Sequence, residues 1–170
     1  MTFLDESVAV LSRTPAAFDT LLRDLPDVLT EATEGPGTWS PRDVVAHLIH
    51  CEHEDWMPRL DIILANGPAF TPFDREGHSR YSAGKTMPTL LDEFLAMRRA
   101  NLARLKAMNL QPAQLELTGT HPAFGAVTAR QLLATWTAHD LAHILQVSRT
   151  MAKRYRQDVG PWAEYMSVMK

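Results

Sequence analysis

The spacing of apolar residues along this chain predicts an all-α protein. No segment alternates apolar and polar residues over the length of a strand, whereas signals that start and stop helices recur. Four long helical regions and a short terminal helix follow from this pattern. Their expected bounds are about residues 3–23 with a break near Thr14-Pro15, residues 41–65 with a kink at Pro58, residues 88–108, residues 129–156, and a terminal helix after Gly160-Pro161.

Two of these helices begin with residues that commonly cap a helix. Ser40 offers a capping hydroxyl, Pro41 suits the first helical position, and Asp43 completes a capping box. Thr128 and Gln131 form a second predicted capping box. Apolar residues at helical spacing then give each helix one buried face, which on the third helix consists of Leu91, Phe94, Leu95, Leu102 and Leu105.

Two long connections, residues 66–87 and 109–127, separate the predicted helices. Both are rich in polar residues, glycine and proline, and both are too long for tight turns. Four helices joined in this way predict a bundle with a crossover topology, and a chain of 170 residues is expected to form one domain over residues 1–170. Four side chains in these connections are candidates for contacting a polar small-molecule substrate: Arg75, His78, Arg80 and His121.

Three histidines on two predicted helices are the main candidates for chemistry. His139 and His143 are four residues apart, so both imidazoles lie on one face of the fourth helix. On the second helix, a count of about 100° per residue places His47 at the edge of the apolar face and His50 on the opposite, solvent side. Three imidazoles from two helices are typical of a metal site that keeps one position open for water or substrate.

The same residues leave structural roles open. A histidine pair at this spacing is often a surface feature, and a single core histidine is more often hydrogen-bonded than metal-bound. Cys51, near His47, is expected to fill the core as a small apolar side chain, with a role as a fourth ligand as the alternative. Glu52 is the catalytic candidate as a base on metal-bound water; it could instead orient a ligand imidazole or form an ion pair with Arg59.

Composition and charge exclude several classes of partner. A formal charge of −3 provides no basic surface for nucleic acid or an anionic membrane. No apolar run approaches the roughly 18 residues of a membrane span, and two acids stand near the N-terminus, where a signal peptide carries positive charge. The single cysteine fits a reducing compartment. A cytoplasmic protein without membrane or nucleic-acid partners is therefore expected.

Three segments of the chain together resemble the DinB/YfiT-like superfamily of metalloenzymes. They are residues 37–48 (GTWSPRDVVAHL), residues 131–143 (QLLATWTAHDLAH) and residues 159–162 (VGPW). This resemblance covers nearly the whole chain and implies a four-helix bundle of up-down-down-up topology, often dimeric. It also implies a divalent metal held by one histidine of the second helix and two of the fourth, which by position are His47, His139 and His143.

The resemblance further implies a class of activity. Characterised members of the family include enzymes that use low-molecular-weight thiols, such as mycothiol-dependent isomerases and bacillithiol transferases. The expectation is therefore a metal-dependent enzyme acting on a small molecule, either a thiol-dependent S-transferase or a hydrolase, with zinc or nickel as the metal and a homodimer as the assembly. A non-catalytic helical module that binds a small ligand or serves a stress response is the alternative.

Overall fold

The computed structural model describes all residues 1–170, and the fold is a helical bundle with one small sheet. The helices are α1 Phe3–Leu11, α2 Thr14–Leu22, α3 Asp27–Thr30, α4 Pro41–Glu54, α5 Trp56–Leu64, α6 Ser79–Ser82, α7 Met87–Ala107, α8 Pro112–Leu115, α9 Ala129–Lys153 and α10 Arg156–Val159. Strands β1 Thr118–His121 and β2 Gly125–Thr128 precede α9, and short 3-10 helices at Gly160–Tyr165 and Ser167–Met169 end the chain. None of the helices combines the length and the apolar character needed to cross a membrane.

Four helical units form the bundle: α1 with α2, α4 with α5, α7, and α9. Helix α7 packs against α2 and α4, and α9 packs against the first two units. Residues 65–86 join the second unit to the third, and their length allows the chain to run along the bundle before the next long helix begins. The predicted four-helix bundle is therefore confirmed.

The predicted helix starts are present where the two capping boxes placed them. The Ser40 hydroxyl accepts a hydrogen bond from the Asp43 backbone at 3.2 Å, and Asp43 accepts from the Ser40 backbone at 3.0 Å. Thr128 and Gln131 form the same reciprocal pair at 3.1 and 2.8 Å. These caps satisfy backbone donors that the first helical turn leaves unpaired, and they fix where α4 and α9 begin.

The second predicted helix is broken rather than kinked. It divides at Asp55 into α4 and α5, three residues before Pro58. Proline has no backbone N–H, so Pro58 cannot donate to the carbonyl of Glu54 and the helical hydrogen bonding is interrupted there. Side chains at four-residue intervals still lie on one side of both helices. Asp55 and Arg59 therefore line the same cavity as His47.

The prediction that the chain has no strand is wrong for residues 118–128. Strands β1 and β2 pair antiparallel, with Thr118 opposite Thr128 and His121 opposite Gly125. The hairpin docks on α5, and the Phe70 backbone donates to Thr120 of β1 at 2.9 Å. Because tertiary docking rather than an alternating apolar pattern stabilises this hairpin, local periodicity could not reveal it.

A buried ionic network connects helices from all four units. The Arg98 guanidinium of α7, 1% exposed, donates to Glu52 of α4 at 2.7 Å and to Asp140 of α9 at 2.5 Å. Arg98 also donates to Thr14 of α2 at 2.9 Å. The predicted ion pair between Glu52 and Arg59 is therefore wrong, because α7 supplies a more deeply buried cation that a face count on one helix does not include.

Candidate metal centre

Three imidazoles converge between α4 and α9. The Nε2 atom of His139 lies 3.1 Å from the Nε2 atom of His47 and 3.1 Å from that of His143. The capping boxes fix the start of both helices, and the i, i+4 spacing places the two α9 imidazoles on one face. The structure thus brings together the three histidines that the sequence singled out.

This arrangement leaves a hydrogen-bonding conflict among the neutral rings. An imidazole nitrogen carries either one proton or one lone pair in the ring plane, so His139 Nε2 cannot satisfy two neighbouring nitrogens at once. The other ring nitrogen of His139 is buried without a partner. A cation bound by three converging lone pairs would remove the conflict at Nε2, so the residues present fit a divalent metal with imidazole ligands.

The charge state of the rings also suits metal binding. Burial, with a smaller contribution from the neighbouring imidazoles, lowers the pKa of His47 to about 2 and that of His139 to about 3. Burial lowers the pKa of His143 as well. All three rings are therefore neutral near pH 7, and a neutral imidazole is the form that donates a lone pair to a metal.

A glutamine on the next turn of α9 orients one of these rings. The Nδ1 atom of His143 lies 2.8 Å from Gln146 Oε1, which can only accept a hydrogen bond. The proton of His143 is therefore on Nδ1, and the lone pair of Nε2 faces the other two imidazoles. Such outer partners fix both the tautomer and the ring orientation of metal-binding histidines.

Replacing Gln146 with alanine is expected to weaken zinc binding by about 10–100-fold, because His143 then loses the contact that fixes its tautomer. Competition with a chromophoric zinc chelator measures this change. Gln157→Ala, at an exposed position of α10, is the matched control and should retain the original affinity. Equal affinity of the Gln146→Ala variant and the unaltered protein would contradict a role for this glutamine.

Cys51 adds a sulfur atom to the same group of donors. It lies one helical turn after His47, and its Sγ atom is 3.4 Å from His47 Nε2. The donor atoms of His47, Cys51 and His139 all lie within 4.8 Å of one another. The side chain is buried, as expected for a core residue, and burial raises the pKa of its thiol. Its position beside the imidazoles nevertheless keeps Cys51 a candidate fourth ligand.

A cavity of about 470 Å³ opens beside the imidazoles. The two long connections close over it, since Phe73 and Arg75 come from the first and His121 from the second. The lining residues are Trp39, His47, Cys51, Asp55, Arg59, Pro72, Phe73, Arg75, His121, Pro122, Ala123, His139 and His143. Of the substrate-contact candidates, Arg75 and His121 line this cavity. His78 instead packs on Trp39, and Arg80 pairs with Asp74 at 2.7 Å.

The comparison with known proteins places this architecture in a family. Residues 11–147 match the DinB superfamily. This chain belongs to the DinB superfamily. Its structure is similar to that of YfiT from Bacillus subtilis, with a TM-score of 0.76, 21% sequence identity, and coverage of 91% of this chain and 87% of YfiT. YfiT is described as "a probable metal-dependent hydrolase with an unusual four-helix bundle topology". No curated protein matches the sequence.

Asp55 and Arg59 are cavity residues of this DinB-superfamily chain to which the sequence analysis gave no site role. Asp55 is the single carboxylate among the lining residues, and Arg59 Nε lies 2.8 Å from its Oδ1. Burial raises the pKa of Asp55, whereas the Arg59 charge acts in the opposite direction. The sequence did contain one indication of this position: both residues follow His47 and Cys51 at four-residue intervals along α4 and α5.

Glu52, the predicted catalytic residue, does not line this cavity. Its Oε1 atom accepts hydrogen bonds from Arg98 and from the Trp136 indole, and its Oε2 atom accepts from Asn101. Its side chain is fully buried. These contacts occupy both carboxylate oxygens within the bundle, so they support a structural role and give no support to Glu52 as a base acting in the cavity.

The predicted solvent position of His50 is wrong. Its side chain is fully buried because the connection after α5 folds back over α4 and covers it. The imidazole stacks on Phe73 and Tyr81 with ring centroids 4.4 and 5.1 Å away, and its Nε2 atom is 3.1 Å from Glu54. His50 therefore packs behind the cavity wall, and it is not among the residues that line the cavity.

Proposed function

We propose that this DinB-superfamily chain is a metal-dependent hydrolase acting on a small molecule, with one zinc or nickel ion held by His47, His139 and His143. The main support for this proposal is that three neutral imidazoles converge at the edge of a cavity. The Nε2 atoms of His47 and His143 each lie 3.1 Å from His139 Nε2. The shared fold with YfiT, itself described as a probable metal-dependent hydrolase, agrees with this proposal.

A divalent cation in this site supplies Lewis-acid chemistry that makes a water molecule or a thiol more acidic. The protein contributes orientation and a place for the proton. The Asp55 carboxylate lines the same cavity, and its Oδ1 atom lies 2.8 Å from Arg59 Nε. Because burial raises the pKa of Asp55, this carboxylate is better matched to accept and return a proton than an exposed one. Asp55, which lines the cavity, is therefore a better candidate for accepting a substrate proton than Glu52, which does not line it.

Thiol-dependent S-transfer is the second candidate, and the cavity is large enough for it. A volume of about 470 Å³ admits a small thiol together with an electrophile. The two reactions differ in their products: in transfer the thiol sulfur displaces from the electrophile a leaving group, which departs with the thiol proton and leaves a thioether, whereas in hydrolysis water displaces that group. Mass spectrometry of reactions with a panel of esters, amides and electrophiles, each with and without added thiol, separates them.

Removal of the metal is expected to lower the thermal stability of the protein. A ligand present at 100 times its dissociation constant stabilises the folded state by about 2.7 kcal/mol, which for a chain of this size corresponds to a melting temperature about 5–10 °C higher. Differential scanning calorimetry before and after exhaustive chelation measures this shift, and added zinc should restore the original value.

Elemental analysis of protein purified without an affinity tag provides the direct test and should find about one divalent metal per chain. The alternative, a non-catalytic module with hydrogen-bonded core histidines, predicts no bound metal and an unchanged melting temperature after chelation. That pair of results would exclude the metal-dependent enzyme.

A further inference from the structure

Four side chains connect the imidazoles to the opposite end of the cavity. His47, Cys51, Asp55 and Arg59 follow one another at four-residue intervals, and all four line the cavity. Arg59 lies twelve residues after His47, with the break at Asp55 between them. Side chains on a helix lean toward its N-terminus, so the long Arg59 side chain extends back toward the imidazoles. The cavity that both line, about 470 Å³, is large enough for a small organic molecule.

The Arg59 guanidinium is held in place by two protein contacts, but some of its N–H donors have no partner within the protein. Its side chain is 10% exposed, its Nε atom lies 2.8 Å from Asp55, and its Cζ atom lies 5.2 Å from the Phe70 ring centroid. Nη1 and Nη2 donate no hydrogen bond to another protein group. Both nitrogens keep accessible surface, so they can donate to a ligand, and a guanidinium presents its donors in a planar fork that matches a carboxylate. Arg59 therefore presents oriented hydrogen-bond donors without protein partners to the cavity.

The charge balance of the cavity favours an anionic ligand. Apart from the imidazoles, its charged side chains are Asp55, Arg59 and Arg75, which sum to one positive charge. The Arg59 charge also acts within the cavity, since it adds to the effect of burial in lowering the pKa of His121. A carboxylate on the ligand offsets part of this charge, to which a divalent cation at the imidazoles would add. An excess of positive charge also attracts anions into the cavity.

We propose that Arg59 is the binding site for a carboxylate group of the substrate, so that the cavity takes a small organic acid whose carboxylate points away from the imidazoles. This inference rests on the proposed function, since it places the substrate in the same cavity. Asp55 and Phe70 act as positioning residues for the guanidinium, which limits the entropy lost when the carboxylate binds.

A pair of probes of nearly the same size and shape, one charged and one neutral, tests this proposal. Sodium hexanoate and hexanamide are titrated into the full-length protein, both as purified and after chelation, and binding is followed by NMR of the arginine Nε–H groups. Hexanoate is expected to bind about tenfold or more tightly than hexanamide, because its hydrogen bonds to Arg59 are charge-assisted. The Arg59 resonance, identified by its absence in an Arg59→Lys variant, should shift with hexanoate and remain in place with hexanamide.

A double variant separates a specific site from a general effect of charge. Asp55→Asn with Arg59→Gln removes both members of the ion pair, so neither charge remains buried alone, and the preference for hexanoate should disappear. Arg104→Gln, at an arginine that is 51% exposed, is the control and should keep the preference. After chelation, which removes any binding of hexanoate to the metal, equal binding of the two probes to the unaltered protein, or a preference that survives in the double variant, would overturn the proposal.

The chelated sample distinguishes this inference from the proposed function. If the protein contains no metal and still prefers hexanoate, the metal-dependent activity fails while the carboxylate site stands. If the protein holds a metal but binds both probes equally before and after chelation, the carboxylate site fails while the metal centre stands.

Discussion

Replacing Arg98 with methionine is expected to lower the free energy of unfolding by about 3–5 kcal/mol, because the change leaves two carboxylates buried without their cation. Glu52 and Asp140 have side chains that are 0% exposed, and both bind the same guanidinium. Methionine fills a similar volume but donates no hydrogen bond. For a chain of this length the loss corresponds to a melting temperature lower by roughly 6–20 °C, which calorimetry measures.

Two further arginine variants test the reason for this loss. Arg98→Lys keeps the positive charge but lacks the planar fork that joins the two carboxylates, so an intermediate loss of stability is expected. Arg104→Met removes an arginine whose side chain is 51% exposed and pairs with Asp61 at the surface, where about 1 kcal/mol or less is expected. If the Arg98→Met and Arg104→Met proteins have the same melting temperature, the network is not a major source of stability.

Replacing His139 with alanine is expected to weaken metal binding by more than about 100-fold, since the loss of an outer-shell partner alone costs 10–100-fold. His139 should have a particularly large effect because its Nε2 atom is 3.1 Å from those of both His47 and His143. His143→Ala is expected to lose the metal as well, and each variant should lose metal-dependent activity. Elemental analysis of the purified proteins and zinc competition titrations give the occupancy and the affinity.

Controls on the same helices define the ligand set. His53→Ala removes an exposed histidine that stacks on Tyr81 outside the cavity, so it should keep its metal. Cys51→Ala tests the neighbouring sulfur, and the three-histidine assignment predicts that this variant also keeps its metal. Full occupancy in His143→Ala together with loss in Cys51→Ala would replace the assigned set with His47, Cys51 and His139, whose donor atoms already lie within 4.8 Å of one another.

The helices and the pairing of the histidines followed from local rules. Capping boxes depend on residues three positions apart, and the i, i+4 spacing of His139 and His143 is a property of one helix, so both could be read from the sequence. The association of His47 with this pair came from its helical face and from the resemblance to the DinB superfamily. The structure brings these three rings together, and the metal they are proposed to hold awaits the measurements above.

The sequence by itself determined the helical bundle, the starts of its main helices and the residues that converge at the candidate metal centre. Only the tertiary structure decided the partner of Glu52, the burial of His50, the hairpin of residues 118–128 and the exposure of Arg59 to the cavity. The reason is physical. Helix caps and faces depend on neighbours a few residues away, whereas each of these four features depends on which distant segment packs against it.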